Sequence, residues 1–523
     1  MKPVSVRHLA AGPALAGLML AGLSGCGALV KVGPDYAGPK QPVSTPSAWR
    51  VRWTPKAVAD SAPGAGDRAA SAAALRDWWQ QFDDPLLAEL IGAAQGASNT
   101  LAQAAARIAQ SRSELTSAEA RSLPTVDTSA ALTRSAITFG GPVLLRTLAQ
   151  VQAQAAWEID LFGGIARSRE GAVARVLARQ AQFQDAQVAL AAEVGNAYVG
   201  LRHCERLINL SEADARSRAE TARLTELTGR AGLQAPAIVA LARASAADAA
   251  NQLLQQRAEC DVLVKSLVVL TDRDEPALRV DLSKSTARLP VPRMFRVDQL
   301  PADVLRQRPD LAGLERELAA ASADIGKAEA ARYPALSLTG NVGPLRSSIN
   351  GLTVNATTWS IGPSLTLPLF DGGRRVADVV AAKARYTAAE SAYRERVRVA
   401  VREVEEALVR LASADAREQF AIDALDGYRE ALQGAQVRFD SGLGNLIDLE
   451  LARREAVRAE TVLSQLQRDR VSAWVSLYRA VGGGWTAEAA SQGAATGTRG
   501  TGITGTSTPG TGASGTIAGA TGR

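Results

Sequence analysis

The chain has 523 residues, of which 46% are hydrophobic and only 4% aromatic. Alanine supplies much of the apolar count, which favours long helices joined along thin seams over one thick globular core. The formal charge of +6 comes from interspersed basic and acidic residues, so solvated helix faces are expected and nucleic acid is not indicated as a partner; with His8 and His203 the only histidines, a histidine-based metal or catalytic site is nearly excluded.

The N-terminus reads as an address. Lys2 and Arg7 form a basic start, and residues 9–23 are apolar and end in small residues before Cys26, as in a secretory signal. A transmembrane anchor is the other reading of this uncharged stretch, but Pro13 and five glycines between Leu9 and Val30 make a poor spanning helix. Leu23-Ser24-Gly25-Cys26 resembles the bacterial lipobox, which implies removal of residues 1–25 and acylation of Cys26; Gly27 after it implies sorting to the outer membrane. Acyl chains contribute about 0.8 kcal/mol per buried CH₂, so several would hold the protein to outer-membrane lipid firmly. Residues 26–75 carry Pro34, Pro39, Pro42, Pro46, Pro55 and Pro63, which favour an extended tether.

Two copies of one unit follow, residues 76–271 and 301–485, around a crossover at 272–300. Gly232 pairs with Gly442 at a spacing of 210 residues (442 − 232), and Pro124 with Pro334 and Glu193-Val194 with Glu403-Val404 keep that spacing. Asp84 suits an N-cap and Pro85 the first helical position, with Trp78, Trp79, Phe82, Leu86, Leu87, Leu90 and Ile91 as the apolar face of the helix. Ser98-Asn99-Thr100 restarts the helix and Pro124 ends it. Along 149–161 the odd positions are apolar and most even ones polar, the period of a strand with one apolar face. Trp359, Ile361, Pro363, Leu365, Leu367 and Leu369 repeat that pattern, and weaker strands precede each at Thr125 to Arg134 and Ala335 to Val342.

Strands of about 10 to 13 residues have the length of tilted membrane-spanning strands; a soluble hairpin packed on the helices is the alternative. Four strands cannot close a barrel, and open edges are not tolerated in lipid. Membrane-crossing strands would therefore be shared between chains, and three chains would give twelve strands around a threefold axis.

Phe162-Gly163-Gly164 and Asp371-Gly372-Gly373 allow a sharp swing from strand to helix. No proline interrupts the run from Gly163 to Gly229, roughly 100 Å of helix, and a helix that long needs partners. Pro276, Pro290, Pro292, Pro301 and Pro309 mark the crossover, expected as a belt around the middle of the body; residues 486–523, rich in Gly and Thr, are expected to be disordered. Cys204 and Cys260 each lie 28 residues from Gly232 (232 − 204 and 260 − 232), so an antiparallel hairpin brings them to one height. In an oxidising compartment that predicts a disulfide, with two buried free thiols as the alternative.

Several of these stretches resemble the TolC-like outer membrane factors, in the lipidated NodT-type branch. They are Val32-Gly33-Pro34-Asp35-Tyr36, Trp157-Glu158-Ile159-Asp160-Leu161-Phe162-Gly163, Arg308-Pro309-Asp310, Pro368-Leu369-Phe370-Asp371-Gly372-Gly373, and Leu477 to Trp485. The resemblance implies a mainly α, α+β fold: a homotrimer with a twelve-stranded β-barrel continuous with a long periplasmic α-helical barrel. It further implies a passive exit duct for small molecules such as drugs, joined by a periplasmic adaptor to an inner-membrane RND transporter. Adaptor contact would fall on the tips, Arg230, Gly232 and Leu233 in the first copy and Gly442, Leu443 and Gly444 in the second.

By the same resemblance, the periplasmic gate maps to Ile447, Asp448, Leu451 and Arg454. Leu451 stands where the family commonly has Asp, which implies a more apolar constriction. Asp448 has a second reading as a helix N-terminal residue favoured by the dipole. No Gly-x-x-x-x-Gly-Lys-Ser/Thr pattern is present, and neither a cofactor nor an enzymatic activity is expected. The rival functions are a type I secretion duct and a lipid-anchored coiled-coil scaffold without a pore.

Overall fold

A computed structural model of the chain describes residues 31–38, 78–138, 140, 143–290 and 307–483, all within one compact unit. The signal segment, Cys26, most of the tether, the far part of the crossover, Trp485 and the C-terminal tail lie outside the described residues.

Helix α1 (Pro85–Ala97) starts where Asp84 accepts hydrogen bonds from the Leu86 and Leu87 amides at 3.1 and 3.3 Å. Trp78, Trp79 and Phe82 are not on its apolar face as expected, but form a separate 3-10 turn, Trp78–Phe82. Asp83, at φ 52°, and Pro85 separate the two segments, because neither continues a right-handed helix from the preceding turn. Their rings instead meet the C-terminal helix: Trp79 lies 4.9 Å from Tyr478 and Trp78 lies 5.9 Å from Trp474, centroid to centroid. Ser98 caps α2 (Asn99–Ala120) through the Leu101 amide.

Four antiparallel strands follow in the order β1-β2-β3-β4: β1 (Thr125–Ile137), β2 (Leu144–Ile159), β3 (Ala335–Ile349) and β4 (Leu352–Thr366). β1 and β3 run further than their alternation suggested, and β2 and β4 begin earlier and end sooner. The outer ends lack clean alternation, so pairing rather than pattern defines them. Asn350 and Gly351, at φ 47° and 91°, form the two-residue turn that Asn-Gly favours. Leu161-Phe162 and Leu367 to Phe370 belong to the linkers.

Gly163 and Gly373, both left-handed, start the long helices α3 (Gly164–Arg230) and α7 (Arg374–Asp440). Each has 67 residues, about 100 Å. α3 returns as α4 (Pro236–Thr271) and α7 as α8 (Leu446–Ala480). Between the repeats, α5 (Glu275–Ser283) is a short capped helix inside the expected crossover, and α6 (Pro309–Ala330) is the counterpart of α2. The main core lies where α1, α3, α4, α5 and α8 meet, around Leu87, Leu90, Leu201, Leu267, Leu278 and Leu477. Each of these leucines contributes about 2 kcal/mol relative to exposure.

Cys204 on α3 and Cys260 on α4 are joined by a disulfide, with Cα atoms 5.6 Å apart. At the start of α3, Arg167 is fully buried and grips the N-terminal segment. Its Nε donates to the Val32 carbonyl at 3.1 Å, its Nη2 to the Gly33 carbonyl at 2.9 Å, and its Nη1 pairs with Asp35 and Glu170. A Cβ on Gly33 would sit 2.3 Å from the Gly326 Cα, so only glycine fits against α6 there. At the other end of α6, Arg308 donates to the Ala480 carbonyl and to Asp310 and Glu403, tying α6 to α7 and α8.

Candidate functional site

The two tips are built alike. In the first, the Leu233 amide donates to the Thr228 carbonyl at 2.9 Å and the Gly232 amide to Gly229 at 3.0 Å. In the second, Leu443 donates to Arg438 at 2.9 Å and Gly442 to Phe439 at 3.0 Å. Both are Schellman turns with a left-handed glycine, at φ 73° and 74°. Each turn presents one leucine outward: Leu233 is 76% and Leu443 82% exposed. Arg230 and Gly444 flank them, with the Gly444 amide sharing the Arg438 carbonyl at 3.0 Å.

Past the second tip, Asn445 caps α8. Its Oδ1 accepts from the Asp448 amide at 2.8 Å and its Nδ2 donates to Asp448 Oδ2 at 2.8 Å, so Asp448 is engaged in a reciprocal cap. Ile447, Asp448, Leu451 and Arg454 all lie on the exposed face of α8, while Leu446, Leu449, Glu450 and Arg453 turn into the seam. Asp448 is therefore held by the N-cap residue in the first turn of α8, and stands on the same exposed face as the other three.

Beneath that face lies a buried ionic cluster that sequence reading missed. Glu450 on α8 receives Arg453 at 2.5 Å, Arg218 of α3 at 3.2 Å and the Ser245 hydroxyl of α4 at 2.8 Å. Arg218 also pairs with Asp214 at 2.8 Å, and Arg453 donates to Thr221 at 3.3 Å and to Gln436 of α7 at 3.4 Å. All four long helices meet here. Glu450 and Arg453 are spaced like any surface i, i+3 pair; the available signal was that both interleave with Leu446 and Leu449 on the seam face.

The sheet carries the other candidate surface. Register places Ile159, Leu336 and Leu365 in one cross-strand row, and Trp157, Leu338 and Pro363 in the next. Further rows are Val126, Ala155, Gly340 and Ile361, then Thr128, Ala153, Val342 and Trp359. This face is apolar and uncovered, with Trp359 73% exposed. The opposite face carries Asp127, Gln154, Asn341 and Ser360 in a single row. Five rows, from Ile159 to Val151, span about 27 Å of strand, or about 20 Å at a tilt near 40°. β1 and β4 are edge strands within the chain. No described helix is long and apolar enough to cross a membrane.

A sheet with one lipid-compatible face and two open edges, continuous with two helices of about 100 Å that each fold back on a shorter partner, is the architecture of an outer-membrane channel. The chain belongs to the outer membrane efflux protein family, whose profile matches residues 90–271 and 300–483. Nodulation protein T of Rhizobium leguminosarum bv. viciae is 30% identical over 475 residues, 87% of this chain and 91% of that one. The solvent efflux pump outer membrane protein SrpC of Pseudomonas putida is 30% identical over 472 residues, 89% and 96% of the two chains. Among solved structures, the outer-membrane channel OprN superposes with a TM-score of 0.77 at 29% identity, over 87% of this chain and 99% of that one. The Campylobacter jejuni CmeC outer membrane channel shares the fold with a TM-score of 0.77 at 23% identity, over 89% and 98%.

Proposed function

We propose that three copies of the chain form the outer-membrane exit duct of a tripartite efflux pump, carrying small molecules such as drugs. β1 of one copy pairs with β4 of the next to close a twelve-stranded barrel, and six hairpins continue it as a periplasmic tunnel. The observation that carries this reading is the four-stranded sheet, apolar on one face and open at both edges, which lipid admits only as part of a closed barrel. Cys26 bears the lipid anchor. Leu233 and Leu443, with Arg230, Gly232, Gly442 and Gly444, meet the periplasmic adaptor, and an inner-membrane RND transporter supplies the energy. The duct itself performs no catalysis.

Ile447, Asp448, Leu451 and Arg454 form the gate ring, with Ile447 and Leu451 making it largely apolar. Heat-resistant oligomers and single-channel conductance in planar bilayers test the duct. A heat-labile, non-conducting monomer would replace it with the scaffold reading. Deleting the gene should sensitise the host to small toxic compounds; retention of a secreted protein instead would favour type I secretion. Asp448→Asn should change conductance or cation block, and unchanged behaviour in both would remove Asp448 from the gate.

A further inference from the structure

The apolar face of the sheet changes character toward its turns. Toward the turns Ala130 pairs with Val151 and Pro344 with Thr357, across a break in the β2–β3 ladder between Gln150 and Ala153, and the next full row is Leu132, Ala149, Arg346 and Asn355. These residues, with Ala131, Gln150, Leu345 and Ala356 between them, line a shallow depression of about 740 Å³. Its lining includes Ala130, Ala149 and Pro344 together with Leu132 and Arg346. Arg134 lies one row further out on the same face.

Charge on the strands is segregated by height. The acidic residues of the four strands, Asp127 and Glu158, lie in the helix-proximal half and on the opposite face. The basic residues, Arg134, Arg146 and Arg346, all lie in the turn-proximal half. The adjoining loops, 138–143 and 350–351, contain no acid. Arg134 and Arg346 are exposed and form no ion pair among the described residues. Arg346 sits ten residues of strand above the Ile159 row, about 34 Å along the strand and about 25 Å at a tilt near 40°, the height of a bilayer's apolar band. An uncompensated arginine at that height, beside an apolar groove, matches a lipid with a phosphate at its head and acyl chains below.

We propose that Arg346 and Arg134, with the depression lined by Leu132, Ala149, Val151 and Pro344, form a docking surface for a phosphate-bearing glycolipid of the outer leaflet. The guanidiniums take the phosphates and the groove takes an acyl chain. This rests on the duct reading above, which sets the turns outward. In the trimer the surface occurs three times, as a ring at the outer rim of the barrel.

The test uses the full-length protein extracted from outer membranes. Bound lipid is measured by native mass spectrometry after exchange into detergent with bisphosphorylated lipid A, its dephosphorylated form or phosphatidylglycerol. The expected result is retention of the bisphosphorylated form, with at least tenfold less of either competitor. Arg134→Gln with Arg346→Gln should reduce that retention at least tenfold, and Ala149→Trp, which fills the groove, should reduce it with both arginines in place. Equal retention by the double variant, or equal binding of dephosphorylated lipid or phosphatidylglycerol, would overturn the proposal. Heat-modifiable migration reports the barrel separately. A wild type lacking a barrel would overturn the duct reading and this surface together, whereas an intact barrel with unselective binding overturns this surface alone.

Discussion

The long arms of the two hairpins have the same length and turn with the same tip geometry, yet they are covered very differently. α3 buries 21 of its 67 residues and α7 only 10 of 67. Gly171, Ala174 and Ala178 of α3 are buried, with Gly171 and Ala178 against α6, where Ala320, Ala323 and Gly313 approach closely. The equivalent small residues of α7, Ala381, Ala384 and Ala388, are exposed. Local sequence codes the same helix twice, and the surroundings decide what it does. The covered copy is closed off by its own chain, and the bare copy leaves its small residues open.

The largest difference to test is covalent. Only the first hairpin carries a staple, closing a loop of 56 residues. Cys204→Ser with Cys260→Ser should cost about 4 kcal/mol by the loop-entropy estimate. Proteolysis and hydrogen exchange should locate that loss in α3 and α4, with α7 and α8 unchanged. A uniform loss over both hairpins would mean that they unfold as one body, which erases the contrast.

Next comes the cluster that joins them. Glu450→Ala leaves Arg453 buried beside Arg218 without its carboxylate, and should cost about 3 kcal/mol in thermal unfolding. A loss under about 1 kcal/mol, the range of an exposed pair, would show that the hairpins are not held together there.

Smaller and symmetric effects are expected at the tips. Gly232→Ala and Gly442→Ala force a side chain into the left-handed region at φ 73° and 74°, with nothing within 4 Å of either new methyl. Each should cost about 1 kcal/mol. Unequal losses in a stability assay would show that the matching turns are not energetically equivalent.

The smallest effect is pH dependence at the α3–α8 seam. His203 shares a 3.1 Å hydrogen bond with Ser464. Burial, followed by the neighbouring Arg468 and Arg206 charges, holds its imidazole below the ordinary value of 6.5. The unfolded chain therefore takes up the proton first. Stability from this site is complete above 6.5 and is lost as the pH falls from there toward the lowered folded value. His203→Gln should flatten the change in melting temperature between about pH 7 and pH 5.5. An identical slope in the variant would assign the acid sensitivity to other groups.

Much of the architecture was legible in the residues. The fixed spacing between repeats, the proline-free runs and the period-two stretches named both long helices and all four strands. What escaped has a common physical cause. Gly343, Pro344 and Arg346 break the alternation of β3, so its outer half is legible only through pairing. Trp78 and Trp79 were apolar enough for a helix face, but Asp83 and Pro85 isolate them. Glu450, Arg453 and Arg167 look like surface charges in one dimension; their partners lie up to 232 residues away (450 − 218), and only packing reveals their burial. At the candidate site, the turn residues and the helical face of Ile447, Leu451 and Arg454 could be read in one dimension. The two readings of Asp448 could not be separated there, and its bonding to the Asn445 cap is visible only in three.

The grip of Arg167 on residues 32–35 has a mechanical consequence. Force applied to the N-terminus enters the molecule at this clasp, at the foot of the strands, and passes into α3 and α6 together. The tips, some 100 Å further along α3, are outside that load path. A pull on the N-terminus is therefore borne by the buried Arg167 contacts, and the tips stay out of it.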